Sequence, residues 1–386
     1  LESLATVDIK ADSITLTQKS TAGVNRAAVW LQGNTQLEET PAGRATLTLN
    51  ADTVNITSGS TGLIAYSNAQ FTVNGNLNLT AKGPAIDTRG NAVIRINEDG
   101  AHTTVINGDI AFETPATTNE SHSSGGLINS NVTLNLTGTD SVWNGRAYQQ
   151  RGADAEKTFN PNTDDIFYGK VTGFKATLAD GGIWNVTGDS FVNSLTLKNG
   201  GIVNASDAVK TLNIGDLTIE GTGNELSAAN VSGTVSFADG AGLTTALNTA
   251  YTVGAADKLG NGAINNATGR LTLGTVGKDA SLNISDAFTY TQAGLDAITS
   301  AYNGLTINLD NASLYINPAS EDKEFNIDKG TIGLIAKGDE AITGGAESLK
   351  VGGDAVLNVK SSATTNVATA TDITVNGTMN VTDASL

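Results

Sequence analysis

Hydrophobic and polar residues alternate in many short runs along the chain, most clearly between Lys175 and Glu220. The runs there are Ala176–Leu178, Trp184–Val186, Leu195–Leu197, Leu212–Ile214 and Leu217–Ile219. Alternation with a period of two is typical of a strand that buries one face. Turn residues bound most runs, as at Asp180–Gly182 and Asn199–Gly201. Each run therefore predicts a short strand with two inward positions.

The runs recur at a nearly constant spacing. Leu178 and Leu197 are 19 residues apart, as are Trp184 and Val203, and Leu217 follows Leu197 after 20. Strands this short are not stable alone, but copies that recur every ~20 residues can stack into parallel sheets. Hairpins would separate paired strands by only about two to five residues. We therefore predict an all-β right-handed parallel β-helix (solenoid) with loop insertions, in which outward Thr and Asn form ladders that face water.

The regularity of this pattern divides the chain into five predicted segments. Strand-type alternation predicts β-helix rungs over 1–142, 176–238 and 320–386. The segment 143–175 has little alternation and predicts an irregular loop or subdomain insertion. The segment 239–319 predicts irregular rungs with one or two short helices.

Two details qualify these segments. Leu47 and Leu77 are 30 residues apart, which predicts longer N-terminal rungs with insertions at the turns. Gly242–Tyr251 and Tyr290–Tyr302 have apolar residues every three or four positions, and this period favours a short helix in each.

Composition agrees with extended structure and excludes several partners. The 386 residues include 44 Gly and only 5 Pro, and 16% are charged. The net charge is −17 without a basic stripe, which argues against nucleic acid and anionic membrane as partners. The chain has no Cys, which excludes disulfides and thiolate metal sites and suits export through an oxidising compartment.

The two ends of the sequence continue the alternating pattern. Leu1 opens directly into polar, alternating sequence, and the repeat pattern still runs at Thr382–Leu386. No apolar run approaches the roughly 18 residues of a membrane helix, and the residues from Leu1 onward do not have the pattern of a signal peptide. We therefore expect the sequence to be a segment from the middle of a longer protein.

The stretch Gly182–Val203 resembles the passenger domains of Gram-negative autotransporters, specifically the AIDA-like and pertactin-like adhesins. The shared run has the residues Trp184, Val186, Ser190, Val192, Leu195, Leu197, Gly200, Gly201 and Val203. A weaker match covers Leu134–Gly145, in which Leu134, Leu136 and Trp143 stand at the family's positions.

The resemblance implies a rod-shaped β-helix that is exported across the outer membrane to the cell surface. In this family a C-terminal membrane barrel, which lies outside this sequence, supplies the membrane contact. The implied function is an adhesin that attaches the cell to host extracellular matrix proteins or glycans. An alternative is a passenger that binds other copies of itself and drives aggregation and biofilm formation. Both functions are non-enzymatic and imply no cofactor.

The sequence offers little for nucleophilic or metal chemistry. Gly188-Asp189-Ser190 lacks the Gly that follows the nucleophile in the familiar serine-protease motif. A triad would also need a base, and His102 and His122 are the two histidines of the chain. We read the Ser motif as a turn between strands and expect no metal site.

The third hypothesis for the function is a polysaccharide-cleaving β-helix enzyme. Such an enzyme needs carboxylates that converge on one face, or Asp and Arg with calcium. The candidates are Glu156, Asp164 and Asp165 with Arg146 and Arg151. Acidic residues of a loop are usually solvated, and Gly352-Gly353-Asp354 is a lone partial match to a calcium-binding turn. We therefore expect no enzyme activity.

Aromatic and basic residues cluster in the predicted 143–175 insertion. The predicted ligand-binding residues are Trp143, Arg146, Tyr148, Arg151, Phe167 and Tyr168. Aromatic faces stack on sugar rings, and Arg binds carboxylate or sulfate through two parallel N–H groups. The alternative is that the aromatic residues hold the loop against the body of the protein, since large rings usually bury.

Overall fold

The computed structural model describes residues 5–20, 26–33, 44–66, 68–89, 92–114, 130–151, 155–157, 173–205, 212–227, 229–231, 234–238, 240–246, 263–265, 270–276, 281–284, 288–290, 306–310, 314–316, 324–337, 343–344, 348–361 and 372–382. The chain forms two compact units. Unit 1 comprises Leu1–Leu195 with Gly201–Asn213, and unit 2 comprises Thr196–Gly200 with Ile214–Leu386.

Every regular element of the described residues is a strand. The first half of the chain contains β1 (Thr6–Gln18), β2 (Ala27–Gln32), β3 (Ala45–Ser58), β4 (Thr61–Tyr66), β5 (Ala69–Ala81), β6 (Ile86–Arg89), β7 (Val93–Ile96), β8 (Thr104–Asn107), β9 (Ile110–Thr114), β10 (Asn131–Thr137), β11 (Val142–Gly145), β12 (Ala147–Arg151), β13 (Ala155–Lys157), β14 (Phe174–Ala179), β15 (Ile183–Val186) and β16 (Ser190–Lys198).

The second half continues with β17 (Ile202–Ala205), β18 (Leu212–Glu220), β19 (Asn224–Ser227), β20 (Asn230–Val231), β21 (Thr234–Phe237), β22 (Gly242–Ala246), β23 (Ala263–Asn265), β24 (Arg270–Val276), β25 (Ser281–Ile284), β26 (Phe288–Tyr290), β27 (Thr306–Asp310), β28 (Leu314–Ile316), β29 (Glu324–Lys337), β30 (Thr343–Gly344), β31 (Ser348–Ser361), β32 (Asp372–Val375) and β33 (Thr378–Thr382).

Unit 1 is built from two groups of parallel strands. The first is a six-stranded sheet in the order β13-β12-β9-β6-β4-β2, in which the β12–β13 pair alone is antiparallel. In the second group, β1 pairs with β3 and β3 with β5. Beyond β5 the stack divides into two arms. One arm is β7-β10-β14, and the other is β8-β11-β15-β17.

Unit 2 uses the same parallel pairing. Strand β19 pairs with β22, β22 with β25, β25 with β27, β27 with β29, and β29 with β31. Strand β31 then pairs with both β32 and β33. A separate three-stranded parallel sheet has the order β26-β28-β30. The hairpin pair β23–β24 is antiparallel.

Alternation determines which residues face inward, and pairing determines the repeat. Trp184 pairs with Val203, which confirms the predicted 19-residue spacing at this point. The predicted equivalence of Leu47 and Leu77 is wrong, because Leu47 pairs with Phe71 and Leu77 pairs with Val54. From β3 to β5 the repeat is thus 24 residues (71 − 47) or 23 (77 − 54) rather than 30, whereas from β1 to β3 it is 40 (46 − 6). The pairing of β3 with β5 absorbs the difference between 24 and 23 by a register shift between Asn50 and Thr53.

The predicted turns are present where strands end. Asp180 follows β14 with φ 53°, and Asn199 follows β16 with φ 48°. Asn97, which follows β7, has φ 52°. Asn and Asp tolerate this left-handed conformation because their short side chains bond locally to the backbone. The Gly-rich turns predicted at Asp180–Gly182 and Asn199–Gly201 are therefore confirmed.

The core of unit 1 contains a cluster of large rings. Trp143 and Trp184 lie parallel, with ring centroids 4.5 Å apart and planes 10° apart, and both side chains are 0% exposed. Phe174 contacts both edge-on, at 5.8 Å from Trp143 and 6.3 Å from Trp184. The indole N–H of Trp184 donates to the Gly145 carbonyl at 3.0 Å, and that of Trp143 donates to the Gly108 carbonyl at 2.9 Å. Burial of these rings is therefore compatible with their polar N–H groups.

The structure overturns the predicted fold class. The described residues contain no helix. Their strands join wide parallel sheets and do not form a clear right-handed β-helix solenoid. Gly242–Ala246 lies in β22, within the segment predicted to be helical up to Tyr251. Pairing of β22 with β19 and β25 overrides its weak helical period. The rest of both predicted helices, apart from Tyr290 in β26, lies outside the described residues.

Gly145 is a position that tolerates no side chain. A Cβ there would collide with the Gly108 carbonyl oxygen and lie 2.6 Å from Trp143 Nε1. We expect Gly145→Ala to lower the free energy of unfolding by about 1–3 kcal/mol, the usual cost of overpacking. Gly353→Ala is the matched control, because nothing lies within 4 Å of its Cβ position. Urea denaturation of both variants measures the difference, and an unchanged Gly145→Ala would contradict the tight packing.

Candidate binding surface

Trp143, the first predicted ligand-binding residue, is part of the interior. Inward and outward positions alternate along β11, and Trp143 occupies an inward position. Its ring stacks on Trp184 and is 0% exposed. The sequence indicates the start of a projecting loop here, because the segment 143–175 has little alternation. In the structure its ring packs in the core and lies away from solvent.

Arg146 and Tyr148, both predicted to bind a ligand, lie together at the start of β12. The Arg146 guanidinium carbon lies 4.3 Å from the Tyr148 ring centroid, and Arg146 Nε donates to Asp109 Oδ2 at 3.1 Å. The Arg146 backbone N–H donates to the other carboxylate oxygen of Asp109. The side chains of Arg146 and Asp109 are about three-tenths exposed, whereas Tyr148 is 6% exposed. This cluster holds the start of β12 against the Asp109 turn.

The remaining predicted residues are only partly placed. Arg151 ends β12 and pairs with Thr114 of β9 and Ala155 of β13. Phe167 and Tyr168 lie outside the described residues. Of the three acidic candidates for polysaccharide cleavage, Glu156 pairs with Gln150 in the β12–β13 ladder. The other two, Asp164 and Asp165, lie outside the described residues.

Gly188-Asp189-Ser190 forms a turn, as the sequence indicated. Ser190 is 0% exposed, its Oγ donates to the Gly188 carbonyl at 2.8 Å, and it accepts from the Ala147 N–H at 3.2 Å. Its hydroxyl thus joins two neighbouring strand ends. His102 lies 3.7 Å from Asp99, and His122 is outside the described residues. Within the part of the chain that is described, no group of three His, Cys, Asp or Glu could hold a metal ion.

A regular outward surface of unit 1 extends along β1, β3, β5, β8, β11, β15 and β17. Parallel pairing aligns its side chains in two columns. The first column is Thr17, Thr57, Thr80, Asn107, Asn144, Asn185 and Asn204. The second is Thr15, Asn55, Asn78, Val105, Val142, Ile183 and Ile202. All are half-buried or exposed, and together we call them the ladder face.

The asparagines of the first column form a continuous chain of hydrogen bonds, which we call the amide column. Nδ2 of Asn144 donates to Asn107 Oδ1 at 2.8 Å, and Nδ2 of Asn185 donates to Asn144 Oδ1 at 2.8 Å. Asn204 continues the chain by donating to Asn185 at 3.2 Å. A primary amide has two N–H donors and two acceptor lone pairs. Each of these asparagines donates one side-chain N–H along the column, so its second side-chain N–H is not used within the column.

The second column changes character along the stack. It begins with Thr15, Asn55 and Asn78, and then becomes aliphatic in a half-buried row that we call the aliphatic column. That column is Val105, Val142, Ile183 and Ile202. The two columns are two residues apart on each strand, roughly 7 Å, and neighbouring strands are about 4.8 Å apart. Because neither column holds a charged side chain, the ladder face is neutral on a chain of net charge −17.

Comparison with known proteins supplies no relative: no family model, no curated protein and no solved structure matches the chain. The described residues also contain no helix of the length and apolar character that crossing a membrane requires. The sequence predicts outward Thr and Asn ladders, but alternation within single strands does not reveal the alignment that unites the four asparagines, nor the aliphatic column beside them.

Proposed function

We propose that the chain is the adhesive, non-catalytic part of a cell-surface protein, and that it attaches to host extracellular matrix proteins or glycans through the ladder face. The observation that carries this proposal is the amide column, an uncharged row of donors and acceptors on a stack of parallel strands. Neighbouring amides hold one another in place. Binding to this face therefore orders few additional side chains, which lowers its entropic cost.

The alternatives for function have weaker support. Ser190 and Arg146 are engaged in contacts that stabilise strand ends, so they offer little to a hydrolytic mechanism. Resemblance of Gly182–Val203 to autotransporter passengers supports the same proposal and extends it to export across a Gram-negative outer membrane. The predicted binding role of Trp143 is not proposed again, because its ring is buried.

Self-association is the second candidate function, and one observation favours it. The ladder face is neutral, so two copies of a chain of charge −17 meet there with the least repulsion. Seven aligned strands give a face roughly 30 Å long, from six steps of about 4.8 Å. With two columns across, we estimate about 300–400 Å² per partner, below the roughly 800 Å² of a standard interface. Single contacts are thus weak, and aggregation requires many copies on each cell.

We expect the double variant Asn144→Lys/Asn185→Lys to lose matrix-protein or glycan binding by at least about tenfold, because unpaired charges on a neutral interface strongly disfavour binding. The measurement is saturation binding of the purified chain to arrays of matrix proteins and glycans, with sugar reducing ends assayed in parallel. Thr133→Lys/Thr177→Lys is the matched control, because it adds the same charges on half-buried outward positions of β10 and β14.

Three results would contradict the proposal. Equal binding by the two double variants would remove the ladder face as the site. Release of reducing ends by the parent chain would indicate an enzyme. Failure to bind any array, combined with sedimentation as a concentration-dependent oligomer, would favour self-association as the function.

A further inference from the structure

We infer that the ladder face docks along the side of a cross-β fibre formed by another protein, on a fibre surface that is uncharged and rich in amide side chains. This inference rests on the proposed function in one respect, because it uses the same surface. The partner is identified by two features of the ladder face, namely the spacing of its strands and the side-chain types of its two columns.

The repeat of the face matches that of a cross-β fibre. Asn107, Asn144, Asn185 and Asn204 occupy aligned positions on four consecutive paired strands, and no register shift interrupts them. Their spacing is therefore the strand spacing, about 4.8 Å, which is also the stacking repeat of cross-β fibres. A fibre offers an acceptor or donor at every step, whereas an irregular protein surface meets such a column at only one or two points.

The side chains of the face are those that join sheets in fibres. Amide ladders and tightly packed aliphatic columns form the dry interfaces between paired sheets. Here the amide column and the aliphatic column lie side by side on the same strands. The amide column has one N–H per asparagine beyond the bond donated along the column, and the half-buried aliphatic column supplies apolar surface that a flat partner can cover.

Charge restricts the partner further. The two columns are free of charged side chains, while the chain as a whole has a net charge of −17. Acidic fibres and acidic polysaccharides would be repelled by the chain and would find no cation on the ladder face. A neutral fibre surface matches the face itself, and it lets the two columns approach without leaving a buried, unpaired charge.

A fibre also offers the ladder face more equivalent docking positions than a second copy does. Two copies overlap fully in only one register, and the contact of about 300–400 Å² per partner is less than half of a standard one. On a fibre every step is equivalent, so the chain keeps full overlap in each of many registers. The number of equivalent registers favours fibre binding, although the contact area is the same.

The test is cosedimentation of the purified chain with preformed, uncharged fibres of an asparagine- and glutamine-rich peptide. We expect saturable binding to the fibres and none to the soluble peptide. Asn144→Lys/Asn185→Lys should weaken binding at least tenfold, and Thr133→Lys/Thr177→Lys should leave it unchanged. Val142→Thr/Ile183→Thr removes apolar surface while it retains β-branched side chains, and it should weaken binding several-fold.

The outcomes separate this inference from the proposed function. No cosedimentation, or equal weakening by both Lys double variants, would overturn the fibre partner. A stable dimer that forms through the ladder face without fibres would also overturn it, because the second copy would then occupy the surface. If matrix or glycan arrays still respond to Asn144→Lys/Asn185→Lys while fibres do not bind, the proposed function stands and only the fibre inference fails.

Discussion

Trp184→Ala is expected to lower the free energy of unfolding by about 3–5 kcal/mol, the usual cost of removing a large buried ring. The Trp184 side chain is 0% exposed, stacks on Trp143 at 4.5 Å and contacts Phe174 edge-on. Its removal leaves a cavity among rings that are held by stacked strands and cannot close in fully. It also removes the donor of the Gly145 carbonyl.

Urea denaturation followed by far-UV circular dichroism measures this loss, and the near-UV spectrum reports the stacked pair. Trp184→Phe is the control that keeps a ring but removes the N–H. We expect it to cost less than the alanine variant, about 1–3 kcal/mol, from the lost hydrogen bond and a smaller cavity. A loss below about 1 kcal/mol for Trp184→Ala would show that the ring cluster is not a main source of stability in unit 1.

Asn97→Ala is expected to lower the free energy of unfolding by about 2–5 kcal/mol through two separate effects. Asn97 has φ 52°, a conformation that costs a non-glycine residue roughly 1–2 kcal/mol without local side-chain bonds. Its side chain is also a buried connector, since the residue is 1% exposed. The side-chain Oδ1 accepts from the His102 N–H at 2.9 Å, and Nδ2 donates to the carbonyls of His102 and Asn135. Loss of these partners adds about 1–3 kcal/mol.

A glycine at this position separates the two effects. Asn97→Gly loses the same hydrogen bonds but adopts positive φ without strain, so it should be more stable than Asn97→Ala by about 1 kcal/mol or more. Urea denaturation of both variants measures the difference, and hydrogen exchange of the His102 amide reports the lost acceptor. If the two variants are equally stable, backbone strain contributes nothing here, and the hydrogen bonds account for the whole effect.

The candidate site shows where prediction from sequence stops. The Asp180 and Asn199 turns and the pairing of Trp184 with Val203 followed from local residue types and a repeat of 19. Asn107, Asn144 and Asn185 are separated by 37 and then 41 residues. Segments of irregular sequence intervene, so no constant period relates them. Hydrogen bonds between strands decide this register, and alternation within one strand carries no information about it.

The amino-acid sequence by itself determined the strand character of the chain, its turn residues, its lack of thiol chemistry and its outward Thr and Asn, because these depend on local conformation and composition. Tertiary structure decided the remaining features. Stacking placed Trp143 inside rather than in a ligand-binding loop, and pairing made Gly242–Ala246 a strand despite its helical period. Strand pairing also placed Leu47 beside Phe71 rather than beside Leu77. The reason is common to all three: parallel pairing joins residues that are distant in sequence, and the hydrogen bonds and buried surface gained there outweigh local preference.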